Sequence, residues 1–220
     1  MQGTKTVRVL LADDHRLLCD GLQMLLNRER DMEVVGIAAD GRQALTMARK
    51  LRPDVVVMDV AMPELNGIQA TSQILAELPS TRVVALSMYA DRRSVHGMLS
   101  AGATGYLLKD CAAEELAGAI RQAMRGRVFL SAEVASLVVG AFTSKGDSSV
   151  PLPDSHLSAR EKEVLQLLAE GYSAVNIAAT LNISRKTVET HRRHIMDKLG
   201  INSVAELTKY AVREGISSLE

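Results

Sequence analysis

Five short apolar runs recur through the first part of this chain, at residues 7–12, 34–38, 55–58, 83–86 and 105–108. Segments with a helical rhythm separate them. Leu17, Leu18, Leu22, Leu25 and Leu26, then Ala44, Leu45, Ala48 and Leu51, recur at about 3.6-residue spacing. A parallel pair of strands needs a crossover, usually a helix, so this alternation predicts a parallel sheet covered on both faces. The expected fold class is α/β: a doubly wound five-stranded parallel sheet over residues 6–125. Punctuation agrees, with Pro53 before the third run, Pro63 after it, and Gly102 and Gly105 around the last loop. Asp110, followed by Glu114 and Glu115, reads as the N-cap of the next helix.

After Arg125 the rhythm breaks. Residues 126–155 read as a linker carrying one helix at about 131–142, because 143–155 are rich in Ser, Pro and Gly and have no period. Residues 156–220 read as a small all-α domain of four short helices. Ser158 with Glu161 forms a capping-box pattern, Gly171 stops the first helix, and Ser173, Ser184 and Ser203 can cap the next three. The tight turn Asn182-Ile-Ser184 between the second and third predicts a helix-turn-helix.

Acids and bases balance at 26 each, so any nucleic-acid contact must come from a local patch and not from net charge. Cys19 and Cys111 are too few for a disulfide scaffold or a four-cysteine zinc site, and read as reduced thiols. Neither a signal-peptide core nor a run of about 18 apolar residues is present. A soluble cytoplasmic protein with no membrane partner is expected.

Asp13 and Asp14 follow the first run, Asp59 ends the third, Ser87 follows the fourth and Lys109 follows the fifth. In a doubly wound sheet these positions share the carboxyl edge, where such folds bind ligands. Each residue has a plainer reading: Asp13 and Asp14 also suit helix capping, and Lys109 suits a solvated surface. Their joint placement points to one pocket. Three carboxylates together need a cation, and a hard ion with few carboxylate ligands is Mg²⁺. Asp59 can then attack a phosphoryl group, with the metal and Lys109 neutralising charge and the Ser87 hydroxyl donating to a phosphoryl oxygen. A phosphatase with an aspartate nucleophile needs a second acid two residues on, and Ala61 stands there.

In the third helix of the tail, at ~100° per residue, Val188, Ile195 and Leu199 share a stripe with His191 beside it. Lys186, Thr190, Arg193 and Asp197 lie opposite, flanked by Glu189 and His194. From Arg185 to Lys198 five bases face two acids, a local charge of +3 suited to DNA phosphates. Arg193 can pair with guanine, Glu189 can accept from cytosine, and Thr190 can touch a thymine methyl. A solvated charged face is the alternative reading.

The blocks Leu-Leu-Ala-Asp-Asp-His (10–15), Val-Val-Met-Asp-Val-Ala-Met-Pro (56–63), Ala-Leu-Ser (85–87) and Gly-Tyr-Leu-Leu-Lys-Asp (105–110) resemble the signatures of two-component receiver domains. Residues 157–199 and the helix after them resemble the LuxR-type helix-turn-helix, and the pairing resembles the NarL/FixJ class of response regulators. The resemblance implies that Asp59 takes phosphate from a sensor histidine kinase. Asp13, Asp14, Asp59 and the backbone carbonyl of Ala61 would hold Mg²⁺, and Ser87 with Tyr106 would form a switch pair. It also implies that Lys186, Glu189, Thr190, Arg192 and Arg193 contact double-stranded DNA. Val204, Leu207 and Ala211 would make the contact of a homodimer formed on phosphorylation. Such a chain is a regulator and not an enzyme, with at most slow self-dephosphorylation. Two positions depart from the pattern. Asp110 replaces a frequent Pro, and Ala174-Val-Asn176 replaces a frequent Asn-Lys-Glu, which would cost one backbone contact. A rival reading keeps both domains as interaction modules without DNA.

Overall fold

In a computed structural model, residues 6–143 and 157–217 are described, and they fall into two compact units. The Ser-, Pro- and Gly-rich part of the expected linker, 144–155, lies outside the described residues. The first unit runs β1 (Val7–Ala12), α1 (Arg16–Leu26), β2 (Met32–Ala38), α2 (Gly41–Leu51), β3 (Val55–Asp59), α3 (Gly67–Glu77), β4 (Arg82–Ser87), α4 (Arg92–Ser100), β5 (Gly105–Leu108), α5 (Ala112–Met124), β6 (Phe129–Leu130) and α6 (Ala132–Thr143). The strand order is β2-β1-β3-β4-β5-β6, with every pair parallel. Reversal of strand order at β1 and β3 opens a crevice at their carboxyl ends.

Register explains why the runs are apolar throughout. Leu11 pairs with Val57, Val57 with Val84, and Val84 with Gly105. Val9, Leu11, Val55, Val57, Val84 and Leu107 pack with Leu22 and Leu26 of α1 and Leu116 and Ile120 of α5. Alternate residues face α2, α3 and α4, so β3 is buried along its whole length. Each Val or Leu so buried contributes about 1.5–3 kcal/mol relative to exposure.

The sheet has six strands where five were expected, because β6 pairs with β5. The Phe129 amide donates to the Thr104 carbonyl at 3.1 Å, and the Ser131 amide donates to the Tyr106 carbonyl at 3.0 Å. A two-residue strand shows no periodicity in sequence, yet it covers an otherwise open edge. Asp110 is a second correction. It lies inside a 3-10 turn, Lys109–Cys111, which joins β5 to α5. At α2, α3 and α4 the caps are side chains: Asp40 accepts from the Gln43 amide, Asn66 from Gln69, and Asp91 from Arg93 and Ser94. Among the described residues no helix is long and apolar enough to cross a membrane.

The second unit holds α7 (Ala159–Ala169), α8 (Ala174–Leu181), α9 (Arg185–Leu199) and α10 (Val204–Arg213). The Ser158–Glu161 capping box is present, and Ser173, Ser184 and Ser203 each accept from an amide of the first turn. Asn182, in the left-handed region at φ 52°, ends α8 and allows the sharp turn into α9. Leu157, Val164, Leu165, Leu167, Ile177, Leu181, Val188, Ile195, Leu207 and Ala211 form the core. Glu161 also accepts from Lys198 Nζ at 2.7 Å. Burial raises the Glu161 pKa, but this bond and the Ser158 amide outweigh it and hold the carboxyl at about 2.

Candidate functional site

β1, β3 and β5 deliver their terminal residues to one point. Asp13, Asp59 and Lys109 are buried there, at 3%, 2% and 8% exposure. Lys109 Nζ lies 2.9 Å from Asp13 Oδ2 and donates to Asp59 Oδ2, also at 2.9 Å. The Ala61 amide donates to Asp59 Oδ1 at 3.4 Å. Gly67, at the start of α3, permits this packing, since a Cβ there would sit 1.9 Å from the Asp59 carbonyl oxygen. Its amide donates to the Val60 carbonyl at 2.9 Å.

Burial pushes the Asp59 carboxyl up to about 6, and the negative charge of Asp13 adds to this, while Lys109 opposes both. Burial also disfavours the Lys109 ammonium, but Asp59 and Asp13 outweigh it and raise its pKa. One ammonium among three carboxylates leaves negative charge in a low-dielectric pocket, a donor set that a hard dication fits.

One residue of this cluster carried no role in the sequence reading. His15 Nδ1 lies 2.9 Å from Asp14 Oδ1, 3.1 Å from Asp13 Oδ1 and 3.4 Å from Lys109 Nζ. Ligand atoms of Asp13, Asp14, His15 and Asp59 all fall within 4.8 Å of one another. Adjacency to the paired aspartates was the only sequence signal. Lys109 lowers the His15 pKa most and burial lowers it further, yet Asp14 and Asp13 together leave it raised.

Ser87 and Tyr106 meet through a main-chain carbonyl. The Ser87 hydroxyl donates to the Tyr89 carbonyl at 2.9 Å and accepts from the Tyr89 amide at 3.3 Å. The Tyr106 hydroxyl donates to the same carbonyl at 3.4 Å. Tyr106 is fully buried, and burial pushes its phenol up to about 12 against the pull of Ser87. The ring is therefore inward while the Ser87 hydroxyl is held by its own loop.

In the second unit, α9 buries Val188 and Ile195 and exposes Lys186, Thr190, Arg193 and His194. The Thr190 hydroxyl donates back to the Lys186 carbonyl at 2.9 Å. Glu189 and Arg192 are both half-buried and paired with each other at 2.7 Å. Lys186, Thr190 and Arg193 are thus the outward stripe, and Glu189 and Arg192 flank it as an ion pair. The expected dimer contact needs correction. Leu207 and Ala211 are fully buried in the unit's own core, while Val204 is 42% exposed. The apolar spacing on α10 closes this core against α7 and leaves only Val204 of the three within reach of another chain.

Residues 9–121 match the response regulator receiver domain family, and residues 155–211 match the bacterial regulatory proteins of the luxR family. The chain is 39% identical over 212 residues to the oxygen regulatory protein NreC of Staphylococcus carnosus (strain TM300), which covers 94% of this chain and 98% of that protein. NreC of Staphylococcus aureus (strain NCTC 8325 / PS 47) matches to the same extent. Among solved structures, the Salmonella typhimurium RcsB response regulator is 27% identical with a TM-score of 0.63, covering 96% of this chain and 98% of that one. An RcsB–DNA complex is 28% identical with a TM-score of 0.58, covering 94% and 98%.

Proposed function

The chain belongs to the response regulators that join a receiver domain to a LuxR-type DNA-binding domain, and from that premise we propose how its own residues carry phosphorylation-dependent transcription control. Asp59 is the phosphoacceptor. One of its carboxylate oxygens attacks phosphorus of a phosphohistidine on a sensor histidine kinase. The P–N bond breaks, and its electron pair leaves with the imidazole. Lys109, held by Asp13 and Asp59, keeps an ammonium beside the incoming phosphoryl oxygens. Asp13, Asp14 and Asp59, with the Ala61 carbonyl, would hold Mg²⁺, which supplies charge neutralisation when bound.

The Ser87 hydroxyl then turns from the Tyr89 carbonyl to donate to the phosphoryl group. That leaves Tyr106 as the sole side-chain donor of this pair to Tyr89, coupling phosphate to the loop after β4. Position 61 offers neither acid nor base, so hydrolysis of the acyl phosphate is slow and the protein is a switch, not an enzyme. The single observation that carries this reading is the buried Lys109 ammonium bridging Asp13 and Asp59. Asp59→Asn should abolish labelling by acetyl phosphate in Mg²⁺ buffer. Persistent labelling at another residue would misplace the site.

In the second unit we place base reading on Lys186, Thr190 and Arg193. The Glu189–Arg192 pair serves phosphate contact and positioning, and Glu189 stays a candidate for cytosine. The solved RcsB–DNA complex supports duplex DNA as the partner. We place the homodimer contact on the outward side of α10, at Ala205, Thr208 and Val212 beside Val204, where side chains are exposed or half-buried. We also place the protein in the cytoplasm, with its DNA. Moving such a switch from 1:99 to 99:1 takes about 5.5 kcal/mol of differential stabilisation, a scale that a buried phosphoryl group with lysine and metal contacts can supply.

A further inference from the structure

We propose that His15 makes the acidic pocket a mixed oxygen–nitrogen metal site, with a preference for later first-row dications such as Co²⁺ over Mg²⁺ that three carboxylates alone would not give. The proposal rests on the reading above that this pocket holds a dication. Octahedral metal–ligand bonds of roughly 2.1 Å put neighbouring ligand atoms about 3 Å apart. His15 Nδ1 stands 2.9 Å from Asp14 Oδ1 and 3.1 Å from Asp13 Oδ1, the spacing of two such edges. Its distance to the other ligand atoms is within the 4.8 Å that contains the whole cluster.

Among the described residues the ring's polar contacts are all to this cluster, to Asp13, Asp14 and Lys109. His15 precedes α1, but its side chain makes no capping hydrogen bond. The turn is tied instead by its main-chain amide, which donates to Asp13 Oδ1 at 2.9 Å. The imidazole is half exposed, whereas Asp13 and Asp59 beside it are buried, so the nitrogen approaches the cluster from its solvent side. Nδ1 sits among the Asp13 and Asp14 carboxylates, with the Lys109 ammonium at 3.4 Å, and a dication would take the place of the proton it shares with the carboxylates. Carboxylate and water suit Mg²⁺ and Mn²⁺, whereas an imidazole ligand favours the later first-row dications, whose affinity for a given site rises from Mn²⁺ through Co²⁺ to Ni²⁺. The pocket therefore keeps its oxygen set for Mg²⁺ and gains a nitrogen for the softer ions.

Pulsed electron paramagnetic resonance on the full chain loaded with Mn²⁺ tests this directly. Wild type should show ¹⁴N modulation from a ligated imidazole, and His15→Ala should bind Mn²⁺ without it. By calorimetry, the preference for Co²⁺ over Mg²⁺ should fall about tenfold in His15→Ala. Mn²⁺ bound in wild type without ¹⁴N modulation would overturn the proposal, as would modulation that survives in His15→Ala. No binding of any dication would instead overturn the metal reading of the pocket itself, and the proposal with it.

Discussion

Asp13, Asp59 and Lys109 sit almost out of water and meet at 2.9 Å, whereas Lys186, Thr190 and Arg193 stand in solvent along one side of α9. Both sets are polar, but they work under opposite conditions. Burial strengthens each charge interaction in the pocket and makes any error in its geometry costly to the fold. On α9 the side chains are exposed and add little to folding, so their worth appears mainly when DNA is present. The two sites should therefore part company under mutation: the pocket's surroundings change stability, and the α9 stripe changes binding.

The largest effect on the fold is expected at Gly67. A methyl group there meets the Asp59 main chain at 1.9 Å, so β3 or α3 must shift. Gly67→Ala should cost about 3 kcal/mol by urea unfolding and slow acetyl phosphate labelling as well. A stable variant with normal labelling would show that the pocket is less rigid than described. The second effect lies in the helical unit and is set by pH. The Glu161 carboxyl is held at about 2 in the fold against an ordinary 4.5. A depressed carboxylate contributes stability that is present above pH ~4.5 and lost as pH falls toward ~2. Partly exposed Lys198 weakens the link, so about 2 kcal/mol is at stake. The opening free energy of α7, from amide exchange corrected for the intrinsic rate at each pH, should fall across that window in wild type, and Glu161→Gln should flatten the dependence.

A smaller loss, about 1 kcal/mol, is expected for Ser203→Ala, which removes the acceptor for the Glu206 amide at the start of α10. Smallest of all on stability is Arg193→Ala, within about 0.5 kcal/mol. The same variant should weaken specific DNA by about 1–3 kcal/mol and non-specific DNA far less. Equal loss on both would make Arg193 a phosphate contact.

Legibility from sequence divides along the same line. The five long strands and the pocket could be read because a doubly wound sheet brings the ends of β1, β3 and β5 together whatever lies between them. The helix caps could be read because Ser158, Ser173, Ser184 and Ser203 act locally. What escaped depends on contacts without a period. β6 is two residues long and is identified only by its hydrogen bonds to Thr104 and Tyr106. His15 joins the pocket through side-chain direction, which spacing does not encode. The place of Leu207 and Ala211 in the unit's own core is not legible, because apolar spacing on a helix looks the same whether the buried surface belongs to the same chain or to another. The Glu189–Arg192 pair likewise follows from rotamers chosen in three dimensions.

The claim that joins both units is that phosphate on Asp59 controls the α9 face of a chain with no net charge to attract DNA by itself. Fluorescence anisotropy on a duplex selected from a random pool, with and without acetyl phosphate and Mg²⁺, measures it most directly. Wild type should bind about tenfold or more tightly when phosphorylated, and Asp59→Asn should show no change. An equal gain in Asp59→Asn, or none in a fully phosphorylated wild type, would contradict the account.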